Sequence, residues 1–148
     1  MCYVISSCLI GENCKYEGGN NLNRKVKEIF DRGNSISVCP EVLGGLGVPR
    51  LRTEIKDGSG EEVLCGKTTV INEKGHDVTV QFIRGAQCAL EIAQEKGIRK
   101  AILKARSPSC GFQWVYDGTF SGRVKKGNGV FAQLLFENGF EIITEEEL

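Results

Sequence analysis

No net charge is available to this chain: Lys and Arg total 19, Asp and Glu total 19. Without a basic excess there is no field to gather a phosphate backbone, which excludes a dedicated duplex-binding protein. No apolar run approaches the roughly 20 residues of a membrane span, and Met1-Cys2-Tyr3-Val4-Ile5 has neither the charged flank nor the apolar length of an export signal. The expected address is the cytoplasm, with no membrane partner. Neither the dinucleotide fingerprint G-x-G-x-x-G nor the phosphate-loop pattern G-x-x-x-x-G-K-[ST] is present, and Gly44-Gly45-Leu46-Gly47 matches neither. Nicotinamide and nucleoside triphosphate chemistry are excluded with them. No C-x-x-C pair occurs, which removes the usual zinc signature. The single histidine, His76, lies in the turn Lys74-Gly75-His76-Asp77 and reads as a solvated loop residue.

What is present in excess is cysteine. Seven occur in 148 residues, at positions 2, 8, 14, 39, 65, 88 and 110. The odd count and the missing export signal argue against a closed disulfide framework and for reduced thiols. The composition is otherwise that of one globular domain, 41% hydrophobic and 26% charged.

Periodicity divides the chain into alternating elements. Cys2 to Ser7 is short and β-prone, and it runs into Cys8-Leu9-Ile10-Gly11. Leu22, Val26, Ile29 and Phe30 recur at helical spacing until Gly33-Asn34. Ile36 to Cys39 is a second strand, halted by Pro40. The glycine-rich stretch from Glu41 to Gly66 reads as one long loop, Thr68 to Ile71 as a short edge strand, and Asp77 to Gly97 as a long capped helix. Ala101-Ile102-Leu103 is apolar enough for a central strand. The segment 104–128 has too many glycines and hydroxyls for a helix; a helix that begins at Val130 and is ended by Asn138-Gly139, and a strand from Phe140 to Ile143, complete the elements.

Strands alternating with helices predict a single α/β domain, residues 1–148, with a small, open, mostly parallel sheet and helices on both faces. Ligands of such sheets sit beyond the carboxyl ends of the strands. Cys8 follows the first strand, Cys39 closes the second and Cys110 lies in the loop leaving the third, so all three belong to that edge. Cys14 shares the loop of Cys8, whereas Cys2, Cys65 and Cys88 are expected to be buried small hydrophobes. Scattered single thiolates suit an iron–sulfur cluster better than zinc. Three of them on four irons leave one iron open as a Lewis acid; a fourth, from Cys14, would close it. Glu41, two residues beyond Cys39, is the best proton-transfer group. Ser107 and Ser109 could hydrogen-bond a substrate or a sulfur, and Arg50 and Arg52 could bind an anion or a ring carbonyl.

The ordered motifs Cys8-Leu9-Ile10-Gly11 with Cys14-Lys15-Tyr16-Glu17-Gly18-Gly19, Cys39-Pro40-Glu41 with Leu43-Gly44-Gly45-Leu46 and Pro49-Arg50, Ser107-Pro108-Ser109-Cys110-Gly111, and Tyr116 through Gly122 resemble the thiouracil desulfidase family over almost the whole chain. The resemblance implies a small α/β protein with a [4Fe-4S] cluster held by Cys8, Cys39 and Cys110 and one iron free of protein ligands. It implies removal of sulfur from a thiolated pyrimidine such as 2-thiouracil, giving uracil and sulfide. Glu41 is implied as proton shuttle and Ser107 as a substrate-orienting hydroxyl. Free base, nucleoside, nucleotide and thiolated RNA all stay open as forms of the substrate. Two other classes stand beside this one: a redox or sulfur-trafficking iron–sulfur protein, and a noncatalytic metal-stabilised binding module.

Overall fold

The computed structural model describes residues 2–148. Strand β1 (Val4–Ser6) passes into a 3-10 helix, Ser7–Ile10, and then α1 (Arg24–Asp31). Next come β2 (Ile36–Val38), α2 (Pro40–Leu43), β3 (Thr53–Ile55), α3 (Gly60–Leu64) and β4 (Val70–Asn72). The long helix α4 (Thr79–Glu95) precedes β5 (Lys100–Leu103), the pair β6 (Trp114–Tyr116) and β7 (Val124–Lys126), α5 (Val130–Glu137), β8 (Glu141–Thr144) and a last 3-10 turn, Glu145–Glu147.

The main sheet has the order β2-β1-β5-β8, with every pairing parallel. Successive strand residues point to opposite faces, and the core divides accordingly. Val4, Ala101, Leu103 and Ile142 join Phe82, Ala86, Ala89 and Ala93 of α4 and Phe131 and Leu135 of α5 in one cluster. Ile5 and Ile102 join Leu9, Val26, Ile29 and Phe30 on the other face. Helices therefore cover both faces, as the alternation of elements predicts. Gly97, at φ 69°, ends α4 with the paired bonds Gly97 N–H to Gln94 C=O and Ile98 N–H to Ala93 C=O, the Schellman arrangement that a glycine in this position permits.

Two expectations are corrected. The stretch from Glu41 to Gly66 is not a structureless loop, because it contains α2, β3 and α3. Pro40 occupies the first turn of α2, where a missing N–H costs nothing, and α3 opens with a capping box between Ser59 and Glu62. The strand expected at Thr68 to Ile71 is β4, which pairs antiparallel with β3 and does not edge the main sheet. Residues 104–128 form no helix, as expected, and carry the antiparallel pair β6–β7.

Helix α2 is one turn long and cannot stand alone. It is held by close backbone contact with α4, and two glycines make that contact possible. A Cβ at Gly44 would lie 1.9 Å from the Gln81 carbonyl oxygen, and one at Gly85 would lie 1.8 Å from the Pro40 carbonyl oxygen. On helix propensity alone Gly85→Ala would gain about 0.8–1.0 kcal/mol. The collision with Pro40 reverses that, since overpacking costs about 1–3 kcal/mol. Thermal unfolding of Gly85→Ala is expected to show a Tm several degrees below the parent; a raised Tm would contradict the contact.

Candidate active site

Three connections leave the carboxyl ends of the main sheet, and each carries a cysteine. The 3-10 helix after β1 holds Cys8, Cys39 sits between β2 and α2, and Cys110 ends the turn from Ser107 after β5. All three line one cavity of about 440 Å³, together with Cys14, Glu41, Arg50, Ser107 and Ser109. The Ser107–Cys110 turn is set by the start of α5, whose unpaired amides need acceptors. The Val130 N–H reaches the Pro108 carbonyl at 2.9 Å and the Phe131 N–H reaches that of Ser109 at 2.8 Å. Gly129 permits this approach, because a Cβ there would lie 2.6 Å from the Ser109 carbonyl.

The thiols differ in proton affinity for identifiable reasons. Burial pushes Cys110 up to about 12, against the opposing hydrogen bonds of the Ser6 and Ser109 hydroxyls. Burial also raises Cys8, opposed by a hydrogen bond from Asn21 and by the charge of Lys104. Cys39 is lowered to about 7, first by a hydrogen bond from the Cys14 thiol and then, against its burial, by the Val42 N–H. Cys14 is raised by the same bond and keeps its proton. When protonated, the Cys39 thiol can donate to the Cys14 carbonyl oxygen at 3.9 Å. A thiolate at any of positions 8, 39 and 110 disfavours one at the others, the mutual repulsion that a bound cation relieves.

This donor set fits a cluster better than a single ion. A tetrahedral zinc with bonds of about 2.3 Å needs sulfurs roughly 3.8 Å apart. Among the described residues no three His, Cys, Asp or Glu side chains gather for one ion. Three thiols spread around a cavity wall suit a group whose metals are themselves spread apart.

Glu41 is held at both oxygens. Arg50 donates from Nε to Oε1 at 3.2 Å, and the Ser109 hydroxyl donates to Oε2 at 3.1 Å. The side chains of Arg50 and Glu41 are 9% and 14% exposed, so the ion pair is nearly buried. The remaining donors of Arg50 bond the Gly47 and Cys14 carbonyls at 3.3 and 2.9 Å. Its guanidinium thus braces the Cys14 loop and Glu41 together. Ser109 is 2% exposed and its Oγ lies 3.6 Å from the Cys110 sulfur. The Ser107 hydroxyl accepts the N–H groups of Ser109 and Cys110 and lies 3.1 Å from the Ser109 Oγ. It reaches Glu41 only through Ser109.

The expectation of burial fails for the remaining cysteines: Cys2 and Cys65 are exposed and Cys88 is half-buried. His76 is exposed and outside the cavity. Several wall residues were not foreseen. Asn21 and Ser6 act on the thiols, as described, and Lys104 pairs with Glu145 at 3.1 Å. Glu54, 6% exposed, accepts the Gly118 and Phe120 N–H groups on Oε1 at 2.9 and 3.1 Å. The alternation Arg52, Glu54, Lys56 was a signal for strand β3 and for which residues share its face.

Removing Arg50 leaves a nearly buried carboxylate without its cation. Arg50→Gln is expected to lower stability by about 3 kcal/mol in urea unfolding, and Glu41→Gln in the same chain to recover part of it. A loss below about 0.5 kcal/mol would mark the pair as solvent-screened.

Comparison with known proteins agrees with this geometry. The family described as 2-thiouracil desulfurase matches residues 3–147. The uncharacterized protein YbbK of Bacillus subtilis (strain 168) is 41% identical over 145 residues, covering 98% of this chain and 96% of that protein. A solved structure described as the [4Fe-4S]-dependent thiouracil desulfidase TudS superposes with a TM-score of 0.87 at 36% identity, covering 99% of this chain and 91% of that one. With a match over nearly its full length, the chain belongs to the 2-thiouracil desulfurase family.

Proposed function

We propose that this protein is a [4Fe-4S]-dependent, non-redox desulfidase that converts a thiolated pyrimidine such as 2-thiouracil, with water, to uracil and hydrogen sulfide. The observation that carries the reading is the convergence of Cys8, Cys39 and Cys110 beside Glu41 in one cavity. The similarity to a solved [4Fe-4S]-dependent thiouracil desulfidase supports it.

Cys8, Cys39 and Cys110 would hold the cluster, which supplies an iron with an open position, a Lewis acid suited to a soft sulfur. Cys14 keeps its proton and donates to Cys39, the role of a supporting neighbour. Water contributes oxygen to the ring carbon, and its two protons leave with the sulfur as hydrogen sulfide, so no electrons are gained or lost. Glu41 takes the first proton on Oε2, because Oε1 is committed to Arg50. Ser109 already bonds Oε2 and gives way to water there. Ser107, whose oxygen is occupied by two amides, keeps its own proton to donate toward Ser109 or a substrate atom. Arg50 acts at one remove, by fixing the carboxylate. A protein that only carried electrons or persulfide would have no use for a carboxylate anchored at both oxygens. The proposed compartment is the cytoplasm, where the seven free cysteines would stay reduced.

Protein reconstituted without oxygen is expected to hold about four irons and four acid-labile sulfides per chain. Cys8→Ser, Cys39→Ser and Cys110→Ser should each lose most of both, and iron unaffected by them would defeat the reading. Glu41→Gln should retain iron yet lower the rate of 2-thiouracil loss by about 10²–10⁴-fold. Turnover near the parent rate in that variant would remove Glu41 from the mechanism, and a parent that holds the cluster yet turns over no 2-thiouracil would favour a redox or trafficking role.

A further inference from the structure

The cavity contains a second carboxylate that the proposed reaction does not use. Glu54 lies on β3, in the same wall as Thr53 and Arg52. It is 6% exposed. Both of its hydrogen bonds fall on one oxygen, since the Gly118 and Phe120 N–H groups donate to Oε1. Oε2 has no partner among the described residues. Yet among those residues no fully buried side-chain oxygen lacks a partner. Oε2 therefore touches open space, and for a residue this buried that lines the cavity, the space is the cavity itself.

A buried carboxylate is costly to keep unless its lone pairs are met. The two amides meet those of Oε1. Arg52, two residues along the strand, pairs with Glu73 at 3.4 Å and lies over the Phe120 ring at 5.9 Å. Glu54 itself forms no ion pair among the described residues. Its free oxygen is also rigidly placed. Behind it, β3 is paired with β4, and in front the Gly118–Gly122 loop is fastened to the same side chain. The close fit at Gly118, where a Cβ would lie 2.5 Å from the Ile55 carbonyl oxygen, holds that loop on β3. The result is a fixed acceptor that faces whatever fills the cavity.

An ionised carboxylate attracts N–H and O–H donors and repels carbonyl and thiocarbonyl acceptors. A thiolated pyrimidine has both kinds of edge: ring N–H groups beside the sulfur-bearing carbon, and acceptors at sulfur and oxygen. We infer that Glu54 is a specificity-determining residue whose Oε2 accepts a hydrogen bond from a donor of the ligand, either a ring N–H or a hydroxyl of an attached sugar. This rests on the desulfidase reading, and it states which edge of the substrate the protein reads.

Titration calorimetry under anaerobic conditions tests it, on the reconstituted parent and Glu54→Gln. The substitution leaves a carbonyl oxygen for the Gly118 and Phe120 amides and replaces the free acceptor with a donor. If a ring N–H is the partner, 2-thiouracil binds Glu54→Gln about tenfold or more weakly. One of 1-methyl- and 3-methyl-2-thiouracil then binds the parent equally weakly, with no further loss in the variant. If the sugar is the partner, 2-thiouracil is unaffected, whereas 2-thiouridine loses about tenfold and its 2′,3′-dideoxy form loses the same in the parent. Hydrogen exchange at Gly118 and Phe120 should be unchanged in Glu54→Gln, which separates ligand contact from loop support. Should the variant fail to fold, the analogue series on the parent decides. Equal binding of all these ligands by the parent, or by a folded variant, overturns the role of Glu54 and leaves the desulfidase reading standing. A parent that neither binds nor converts any of them overturns both.

Discussion

Strands β2, β1 and β5 run side by side in one direction, about 4.8 Å apart, with Ser6 level with Val38 and Val4 level with Ala101. Parallel strands in register finish at one level, and the chain must turn away from each within a few residues. A cysteine in each turn is thereby delivered to the same small volume. Local sequence alone could not do this, since positions 8, 39 and 110 are far apart in the chain. The convergence follows from the sheet, whose central strands β1 and β5 are fully buried at Val4, Ile5, Ala101 and Ile102.

The walls of the cavity are held mainly by backbone. Helix α2, which carries Glu41 and begins at Cys39, presses on α4 through Gly44 and Gly85. The Ser107–Cys110 turn is bonded to the first amides of α5. Arg50 ties Glu41, the Gly47 carbonyl and the Cys14 carbonyl into one unit. Such a frame holds reacting groups in place before any ligand arrives, which is where much of an enzyme's electrostatic advantage originates. It also accounts for the spread of thiol behaviour. Burial keeps Cys110 protonated, whereas Cys39 has a neighbouring thiol and an amide to stabilise its charge.

Much of this was readable in advance, and the exceptions have physical causes. Apolar periodicity located the four strands of the main sheet and the helices α1, α4 and α5, because those elements bury continuous faces. Cys8, Cys39, Cys110 and Glu41 could be assigned to one edge from their distance to strand ends. Helix α2 and strand β3 were missed. One is a single turn stabilised by contact with α4, and the other by pairing with β4 across an intervening helix. Ser107 and Ser109 are two residues apart and chemically alike, yet only the folded turn shows that Ser109 reaches Glu41 while Ser107 caps amides. Glu54 was one acidic residue in what looked like a loop. Its burial becomes visible only when the Gly118–Gly122 segment closes over it.

In the proposed reaction these residues direct water to a carbon losing sulfur, without electron transfer. A single turnover of 2-thiouracil in water enriched in oxygen-18 tests it most directly, with uracil examined by mass spectrometry and sulfide counted alongside. Hydrolytic desulfuration gives one heavy oxygen per uracil, one sulfide per uracil and an unchanged cluster oxidation state. Unlabelled uracil, or product that appears only with an added reductant, would contradict it.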